Sequence, residues 1–268
     1  IDTPDNDFLD LDWSVDGHDR LAVISHGLEG CSRRAYVKGM ARALNQEGWD
    51  ALAWNYRSCS GEPNQSLKSY HNGVTDDLSL VIDHAMSKNR YRQLALVGFS
   101  LGGNLTLLFL GKQLNHPIIQ KAVVFRVPCD LKGSSQMLRR PENRIYMKRF
   151  LVLLRNKIKA KMKLFPGQID DAGYEKITDF KGFDDRYTAP IHGFENALDY
   201  WEKCSSKPHI PNINIPTLIV NAKDDPFLSP GCFPAKEAAA SGHVTLSTPD
   251  AGGHVGFVSF NGKKRYWS

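Results

Sequence analysis

Short apolar runs alternate with segments of helical periodicity along most of the chain. Apolar runs predict buried strands at residues 21–25, 49–55, 94–97, 121–127, 217–221 and 244–246. Residues 8–13 instead alternate between apolar and polar side chains, as an edge strand does. Helical spacing predicts helices over residues 34–47, over residues 74–88 and from about residue 101. This order predicts an α/β fold with a mostly parallel central sheet and helices on both faces.

One long segment departs from this alternation. Residues 131–211 contain many charges and several helical patterns but no convincing strand. We expect a helical cap insertion over the carboxyl ends of the strands, where ligands bind in this architecture. The predicted organisation is a single domain over residues 1–268, with a core of about 1–130 and 212–268 and a cap of about 131–211.

Composition narrows the class of protein without identifying it. With 268 residues, 41% hydrophobic and 24% charged, the chain resembles an ordinary soluble globular protein. Its five cysteines are scattered and form no CxxC pair, a usage that suits free thiols in a reducing compartment. We therefore expect a cytoplasmic protein. Because the first residue is Ile1, we also expect that a segment precedes it, which weakens the inference of compartment.

The strongest chemical signal is the pattern G-x-S-x-G around Ser100. Gly98 follows a predicted strand, and a predicted helix begins just after the serine. Both contexts are needed, because a nucleophilic serine in this motif occupies a tight turn between strand and helix. Ser100 is therefore the predicted nucleophile.

A nucleophilic serine needs a base and an acid that orients the base, in the chain order Ser, Asp or Glu, His. We favour His254, which lies in a glycine-rich loop after the last predicted strand, over His192, His209 and His243. Asp225 follows a strand and precedes a proline, which fits the acid. The neighbouring Asp224 remains an alternative.

Acyl transfer also needs two backbone N–H groups aimed at the developing oxyanion. Leu101, directly after the nucleophile, supplies one candidate. The loop after the strand at residues 21–25 supplies the other, with Leu28 as the expected donor. His26 in the same loop is interpreted as a brace for the turn, since it precedes the nucleophile in sequence.

These motifs together resemble the YheT-like branch of the α/β-hydrolases, also called the embryogenic-protein-like hydrolases. The resemblance extends from residue 7 to residue 258. It rests on HGLEG at 26–30, NYRSCSGEPN at 55–64, GFSLGGN at 98–104, FDDRYTAP at 183–190, NAKDDPF at 221–227 and GGHVGFV at 252–258.

The resemblance implies a hydrolase of carboxylic esters, on short acyl or lipid substrates, with Ser100, Asp225 and His254 as its triad. It implies neither a metal nor an organic cofactor. One departure is Ser58, which stands where the family pattern leads us to expect glycine. Three rivals remain open, namely an acyltransferase or thioesterase on the same triad, a lipase-like enzyme at a membrane surface, and a catalytically silent binding module of the same fold.

Charged groups in the motifs have structural interpretations as well. Arg57 is expected to brace neighbouring loops. Asp184, Asp185 and Arg186 are expected to form an ion-pair hinge that holds the cap to the core.

A basic stretch at residues 139–163 carries ten lysines and arginines against the single acid Glu142. Apolar residues recur there every three or four positions, which predicts an amphipathic cap helix with its apolar stripe on the core and a solvated basic face. A contact between that face and an anionic membrane surface is the alternative. Nucleic acid is a poor candidate because no recognition motif accompanies the charge. The oligomeric state stays open.

Overall fold

A seven-stranded sheet forms the centre of the computed structural model, which describes residues 1–114 and 116–254. Two short strands, β1 (Asp2–Thr3) and β2 (Asp7–Phe8), pair with each other in a separate small sheet. The large sheet contains β3 (Asp10–Ser14), β4 (Arg20–Ser25), β5 (Asp50–Asn55), β6 (Gln93–Phe99), β7 (Ile119–Phe125), β8 (Thr217–Val220) and β9 (Val244–Ser247). Their spatial order is β3-β5-β4-β6-β7-β8-β9, and among these described strands only the edge strand β3 runs antiparallel to its neighbour. The predicted, mostly parallel sheet is confirmed.

Helices cover both faces of this sheet. The α-helices are α1 (Ala35–Gln46), α2 (Thr75–Met86), α3 (Leu101–Gly111), α4 (Leu131–Leu138), α5 (Arg144–Leu164), α6 (Phe180–Phe183), α7 (Ala189–His192), α8 (Ala197–Cys204) and α9 (Ala235–Ser241). Successive residues of a strand point to opposite faces. In β4, Leu21 therefore packs with α2 and α3, whereas Ala22 packs with Val37 of α1.

Two strands differ from their predicted bounds, namely those expected over residues 8–13 and over residues 121–127. The strand expected over residues 8–13 is divided, because Asp7 and Phe8 pair with β1 and a separate edge strand begins at Asp10. A turn through Asn6, whose φ is 58°, folds the first residues back on themselves. The strand expected over residues 121–127 lies two residues earlier, as β7.

The carboxyl ends of the parallel strands meet along one edge of the sheet. The loop at residues 26–30 follows β4, Ser100 follows β6 directly, and the loop at residues 221–225 follows β8. Since β4, β6, β7 and β8 are consecutive neighbours, these three loops lie close together in space. The topology thus places residues that are far apart in sequence at one edge.

The residues between β7 and β8 form helices α4 to α8 and several short helical turns, and we call residues 131–211 the inserted segment. Its apolar side chains form a cluster of their own, which includes Met147, Leu154, Tyr174, Phe183 and, from the loop after β8, Phe227. The division of the chain into core and cap stays a prediction. Within the described residues, no helix is long and apolar enough to cross a membrane.

Candidate active site

Ser100 occupies the sharp turn between β6 and α3. Its φ of 52° is unusual for a residue other than glycine, and such strained positions concentrate at functional sites. A Cβ on Gly98 would lie 2.5 Å from the carbonyl oxygen of Gly102. A Cβ on Gly102 would lie 2.6 Å from the carbonyl carbon of Ser25. The two glycines of the motif therefore allow β6, α3 and the end of β4 to approach closely enough to present the serine.

The structure brings Ser100, Asp225 and His254 together. His254 Nε2 lies 3.1 Å from Ser100 Oγ, and His254 Nδ1 lies 2.7 Å from Asp225 Oδ2. The Asp225 side chain is fully buried and also accepts the backbone N–H of Phe227 at 2.9 Å. A carboxylate that accepts from Nδ1 leaves Nε2 of a neutral imidazole free to accept a proton from the serine. This is the geometry that a serine nucleophile, its base and the orienting acid require.

The alternative candidates for the acid and the base have other positions or other hydrogen-bond partners. Asp224 Oδ1 accepts the backbone N–H of Gly253 at 2.8 Å, so Asp224 supports the loop beside His254 rather than its ring. His192 packs against His71 with ring centroids 4.5 Å apart, and His243 precedes β9. The geometry favours Asp225 and His254 over the other candidates.

The two predicted oxyanion donors both line the cavity in front of the serine. Leu101 is the first residue of α3, so its N–H has no carbonyl partner within the helix. Leu28 follows Gly27, at which an added Cβ would lie only 3.3 Å from Ser100 Cβ. Their assignment as an oxyanion hole stays a prediction, and their placement beside the serine is compatible with it.

The loop that carries Leu28 is held by His26. Its Nε2 accepts the backbone N–H of Tyr56 at 3.3 Å, so Nδ1 carries the proton and donates to the carbonyl of Gly27 at 2.8 Å. Burial lowers the pKa of His26 to about 3, which keeps the ring neutral. The interpretation of His26 as a brace is confirmed.

A cavity extends from Ser100 and His254 into the inserted segment. Its walls are largely apolar and include Leu101, Leu138, Phe150, Leu154, Phe183 and Phe227. Apolar walls with a few placed polar groups are typical of small-molecule sites. A cavity of this kind, open to the serine, can hold an acyl chain.

The basic helix differs in part from its prediction. Its inner face lines the cavity and packs within the inserted segment, and two of its lysines turn toward the core. Lys157 Nζ donates to the carbonyl of Ser58, and Lys161 Nζ donates to Asn64 Oδ1 at 2.6 Å. The expected solvated basic face is therefore wrong for Lys157 and Lys161, because the helix crosses a loop rich in acceptor groups.

The prediction for Arg57 is confirmed, whereas the prediction for the motif at residues 183–190 is wrong. Arg57 is buried and binds Asp5, Asp7 and Asp77, which confirms its role as a brace: it joins the loop after β5 to the turn before β2, to β2 and to the first turn of α2. The ion-pair hinge is wrong. Asp185 pairs with Lys181 inside the inserted segment, and Asp184 accepts hydrogen bonds only from uncharged groups of that segment among the bonds described.

Comparison with known proteins decides the family. A family model described as the alpha/beta hydrolase fold matches residues 23–260. The chain belongs to the α/β-hydrolase family. The putative esterase YheT of Escherichia coli is 35% identical over 264 residues, a match that covers 96% of this hydrolase and 77% of the relative. Mouse phospholipase ABHD3 is 29% identical over 268 residues, with 96% of this chain and 65% of the relative covered.

Solved structures agree with this family at the level of the fold. The Pyrococcus furiosus esterase Pf2001 superposes with a TM-score of 0.63 at 16% identity, covering 95% of this hydrolase and 82% of that chain. The predicted α/β-hydrolase fold and the resemblance to its YheT-like branch are both confirmed.

Two residues of this hydrolase that contact His254 were not predicted from the sequence. Arg126 Nη1 donates to the carbonyl oxygen of His254 at 3.0 Å, from a backbone with a φ of 57°. The ring of Phe227 lies 4.3 Å from the imidazole, centroid to centroid. Arg126 follows β7 directly, and this position at the carboxyl edge of the sheet is the sequence feature that could have identified it as a site residue.

Proposed function

We propose that this hydrolase cleaves carboxylic esters in two steps through an acyl-enzyme formed on Ser100. Ester hydrolysis as such agrees with the family and with the names of the esterase relatives. The observation that carries the finer proposal is the continuous chain of hydrogen bonds from Asp225 through His254 to Ser100 Oγ.

The mechanism follows from this geometry. His254 Nε2 removes the proton of Ser100 as Oγ attacks the ester carbonyl, and Asp225 holds the ring and stabilises the imidazolium. The N–H groups of Leu28 and Leu101 bind the oxyanion. The C–O bond breaks and the alcohol leaves with the proton from His254. Water then attacks the acyl carbonyl while His254 Nε2 takes its proton. The bond between the acyl group and Ser100 Oγ breaks, His254 returns the proton to Oγ, and the carboxylic acid is released.

Turnover of p-nitrophenyl butyrate tests the proposal. We expect the wild type to release butyric acid and Ser100→Ala to lose at least about 10³-fold in kcat. A folded wild type without turnover would contradict the proposal and favour a binding module.

Competing nucleophiles separate this hydrolase from its rivals on the same triad. We expect free butyric acid to remain the main product when 1-butanol is added. Dominant formation of butyl butyrate would indicate an acyltransferase. A strong preference for the butyryl thioester over the oxygen ester would indicate a thioesterase.

The outer face of α5 supports a second proposal, namely that it contacts an anionic lipid surface. Ile145 is 81% exposed and Val152 is 51% exposed. Lys148, Arg149 and Lys159 are exposed on the same helix. Apolar side chains interleaved with cations are typical of helices at lipid interfaces. Sedimentation with phosphatidylserine vesicles tests the contact.

A further inference from the structure

The turn at residues 27–30 carries Leu28, and the other three backbone N–H groups of this turn have partners. The N–H of Gly30 donates to the carbonyl oxygen of Gly27 at 2.9 Å. The N–H groups of Gly27 and Glu29 donate to side chains outside the turn. Among the hydrogen bonds of the described residues, none involves the N–H of Leu28. The turn therefore keeps one donor available, and this donor is the one predicted to bind the oxyanion.

The carbonyl oxygen of Gly27 fixes the direction of that donor. This oxygen accepts the N–H of Gly30 at 2.9 Å and the Nδ1–H of His26 at 2.8 Å. The peptide unit between Gly27 and Leu28 is trans, so its C=O and its N–H lie in one plane and point in opposite directions. Two hydrogen bonds on the carbonyl side of the unit therefore determine where the N–H of Leu28 points.

The peptide unit before it is held by Tyr36, in the first turn of α1. Tyr36 Oη accepts the N–H of Gly27 at 3.0 Å. The Tyr36 ring packs edge-on against Phe99, the residue before Ser100, with ring centroids 4.9 Å apart. Tyr36 is not among the described residues that line the cavity. Its connection to the site therefore runs through the turn and Phe99 and not through a contact with substrate.

The peptide unit after it is held by Tyr70. Tyr70 Oη accepts the N–H of Glu29 at 2.9 Å and donates to Glu29 Oε1 at 2.6 Å. Glu29 has a φ of 53°, and a positive φ at the third position of a turn favours glycine. The Tyr70 ring is itself buried and stacks on Tyr56 with centroids 5.2 Å apart. Tyr70 thus fixes both the backbone and the side chain of a residue whose conformation is unfavourable.

We propose that Tyr36 and Tyr70 are positioning residues, whose hydroxyl groups hold the N–H of Leu28 in place for the oxyanion. Each hydroxyl fixes one neighbour of the peptide unit that carries this donor. Without it, the N–H of Gly27 or Glu29 would lack a partner or turn toward another group, and the central unit would rotate with it. An oxyanion hole depends on donors that are already in place, so such a rotation slows the reaction. This inference rests on the proposed ester hydrolysis, with Leu28 as a donor.

Removal of each hydroxyl tests the proposal. Tyr36→Phe and Tyr70→Phe keep the rings and their packing. We expect each to lower kcat for p-nitrophenyl butyrate by about 10- to 100-fold, with KM changed by less than about threefold. Tyr91→Phe is the matched control, because Tyr91 donates to Asp50 Oδ2 at 3.1 Å at the amino edge of the sheet. We expect it to keep the wild-type kcat, and circular dichroism shows whether each variant is folded at the assay temperature.

A transition-state analogue separates positioning from a general structural defect. With 1,1,1-trifluoro-2-hexanone, Ser100 Oγ bonds to the carbonyl carbon, its proton passes to His254, and the electron pair of the C=O bond moves to the oxygen, which becomes an oxyanion. We expect the affinity for this ketone to fall by the same factor as kcat/KM in the two tyrosine variants, because both depend on the same donor. Tyr91→Phe should bind the ketone as the wild type does.

The outcomes separate the inference from the function on which it depends. Matching losses of kcat/KM and of ketone affinity support the positioning role. Folded tyrosine variants with the wild-type kcat would overturn it. A loss of kcat with unchanged ketone affinity would also overturn it, since the oxyanion donor would then still be in place. If Tyr70→Phe does not fold, Tyr36→Phe decides by the same criteria. A wild type without ester hydrolysis, or hydrolysis that is independent of Ser100, would instead reject the proposed function.

Discussion

The two ends of the cavity are built from different parts of the chain. At the Ser100 end, Asp225 and His254 come from loops at the carboxyl edge of the sheet, and the hydrogen-bond chain from carboxylate to serine is complete. At the Asp184 end, the groups come mainly from the inserted segment, and Asn72 Oδ1 is left without a partner in the described residues. A complete chain suits proton transfer within the protein, whereas a buried acceptor without a partner costs stability.

The largest expected effect lies at the Ser100 end. Asp225→Asn retains the shape of the acid but favours the wrong tautomer of His254, so we expect kcat for p-nitrophenyl butyrate to fall by about 10⁴-fold. Asp224→Asn is the matched control, because Asp224 binds the backbone of Gly253. We expect it to stay within about tenfold of the wild type, a loss of under roughly 1.4 kcal/mol. Equal losses in the two variants would contradict the assignment of the acid.

The second largest effect is expected at the Asp184 end, where the free energy of unfolding should depend on pH. Burial raises the pKa of Asp184 from 3.8 to about 7. Between these values the native state retains a proton that the unfolded chain has released. The contribution of Asp184 to the free energy of unfolding therefore falls as pH rises from about 4 to about 7. The decrease is at most on the order of 4 kcal/mol, at about 1.4 kcal/mol per unit of pKa shift.

Asp184→Asn cannot ionise and is expected to remove this dependence. Urea unfolding at pH 5 and pH 8 measures it, and the variant should gain stability relative to the wild type on going to pH 8. An unchanged difference between the two proteins at the two pH values would show that Asp184 does not titrate in this range.

A smaller effect is expected at the glycine that brings α3 against β4. A Cβ on Gly102 would lie 2.7 Å from the carbonyl oxygen of His26, a backbone atom that cannot move without the sheet. We expect Gly102→Ala to lower the free energy of unfolding by about 1–3 kcal/mol. At Gly39 in α1, an added Cβ would have no neighbour within 4 Å, so Gly39→Ala should be stabilising by about 0.5–1 kcal/mol. Thermal unfolding compares the two, and a neutral Gly102→Ala would contradict the close approach.

The smallest effect concerns the outer face of α5, away from both ends of the cavity. Lys148→Gln removes one exposed cation, and each such charge near an anionic bilayer contributes about 1 kcal/mol, or roughly fivefold in affinity. We expect that weakening for phosphatidylserine vesicles, with little change in activity on soluble esters. Lys38→Gln on α1 is the control. Equal effects of the two variants would indicate general charge attraction rather than binding through α5.

The contrast between the ends also explains which features could be predicted from sequence. Gly98, Ser100 and Gly102 meet a backbone requirement at three alternate positions within five residues, so the motif identified the turn. Asp225 and His254 follow strands, and the order of parallel strands brings such loops to one edge. These expectations depend on local geometry and topology, which sequence patterns encode well.

The Asp184 end depends on packing between helices, which such patterns do not encode. The charges of Asp184 and Arg186 suggested an ion pair, but the chain turns Asp184 toward Trp201 and Thr188 instead. The heptad-like spacing of α5 likewise located its apolar stripe without showing that Lys157 and Lys161 reach loop carbonyls. Long flexible side chains can cover apolar surface and still reach a partner, so their direction is decided by what lies opposite.

The most direct test of the account is covalent labelling with a fluorophosphonate, followed by intact mass measurement. The wild type, Ser100→Ala and His254→Ala would be compared as folded proteins. We predict one adduct on the wild type, none on Ser100→Ala and strongly slowed labelling of His254→Ala, because only an activated serine attacks the probe. An adduct that persists on Ser100→Ala, or a folded wild type that takes up no label, would contradict the assignment of Ser100 as the nucleophile.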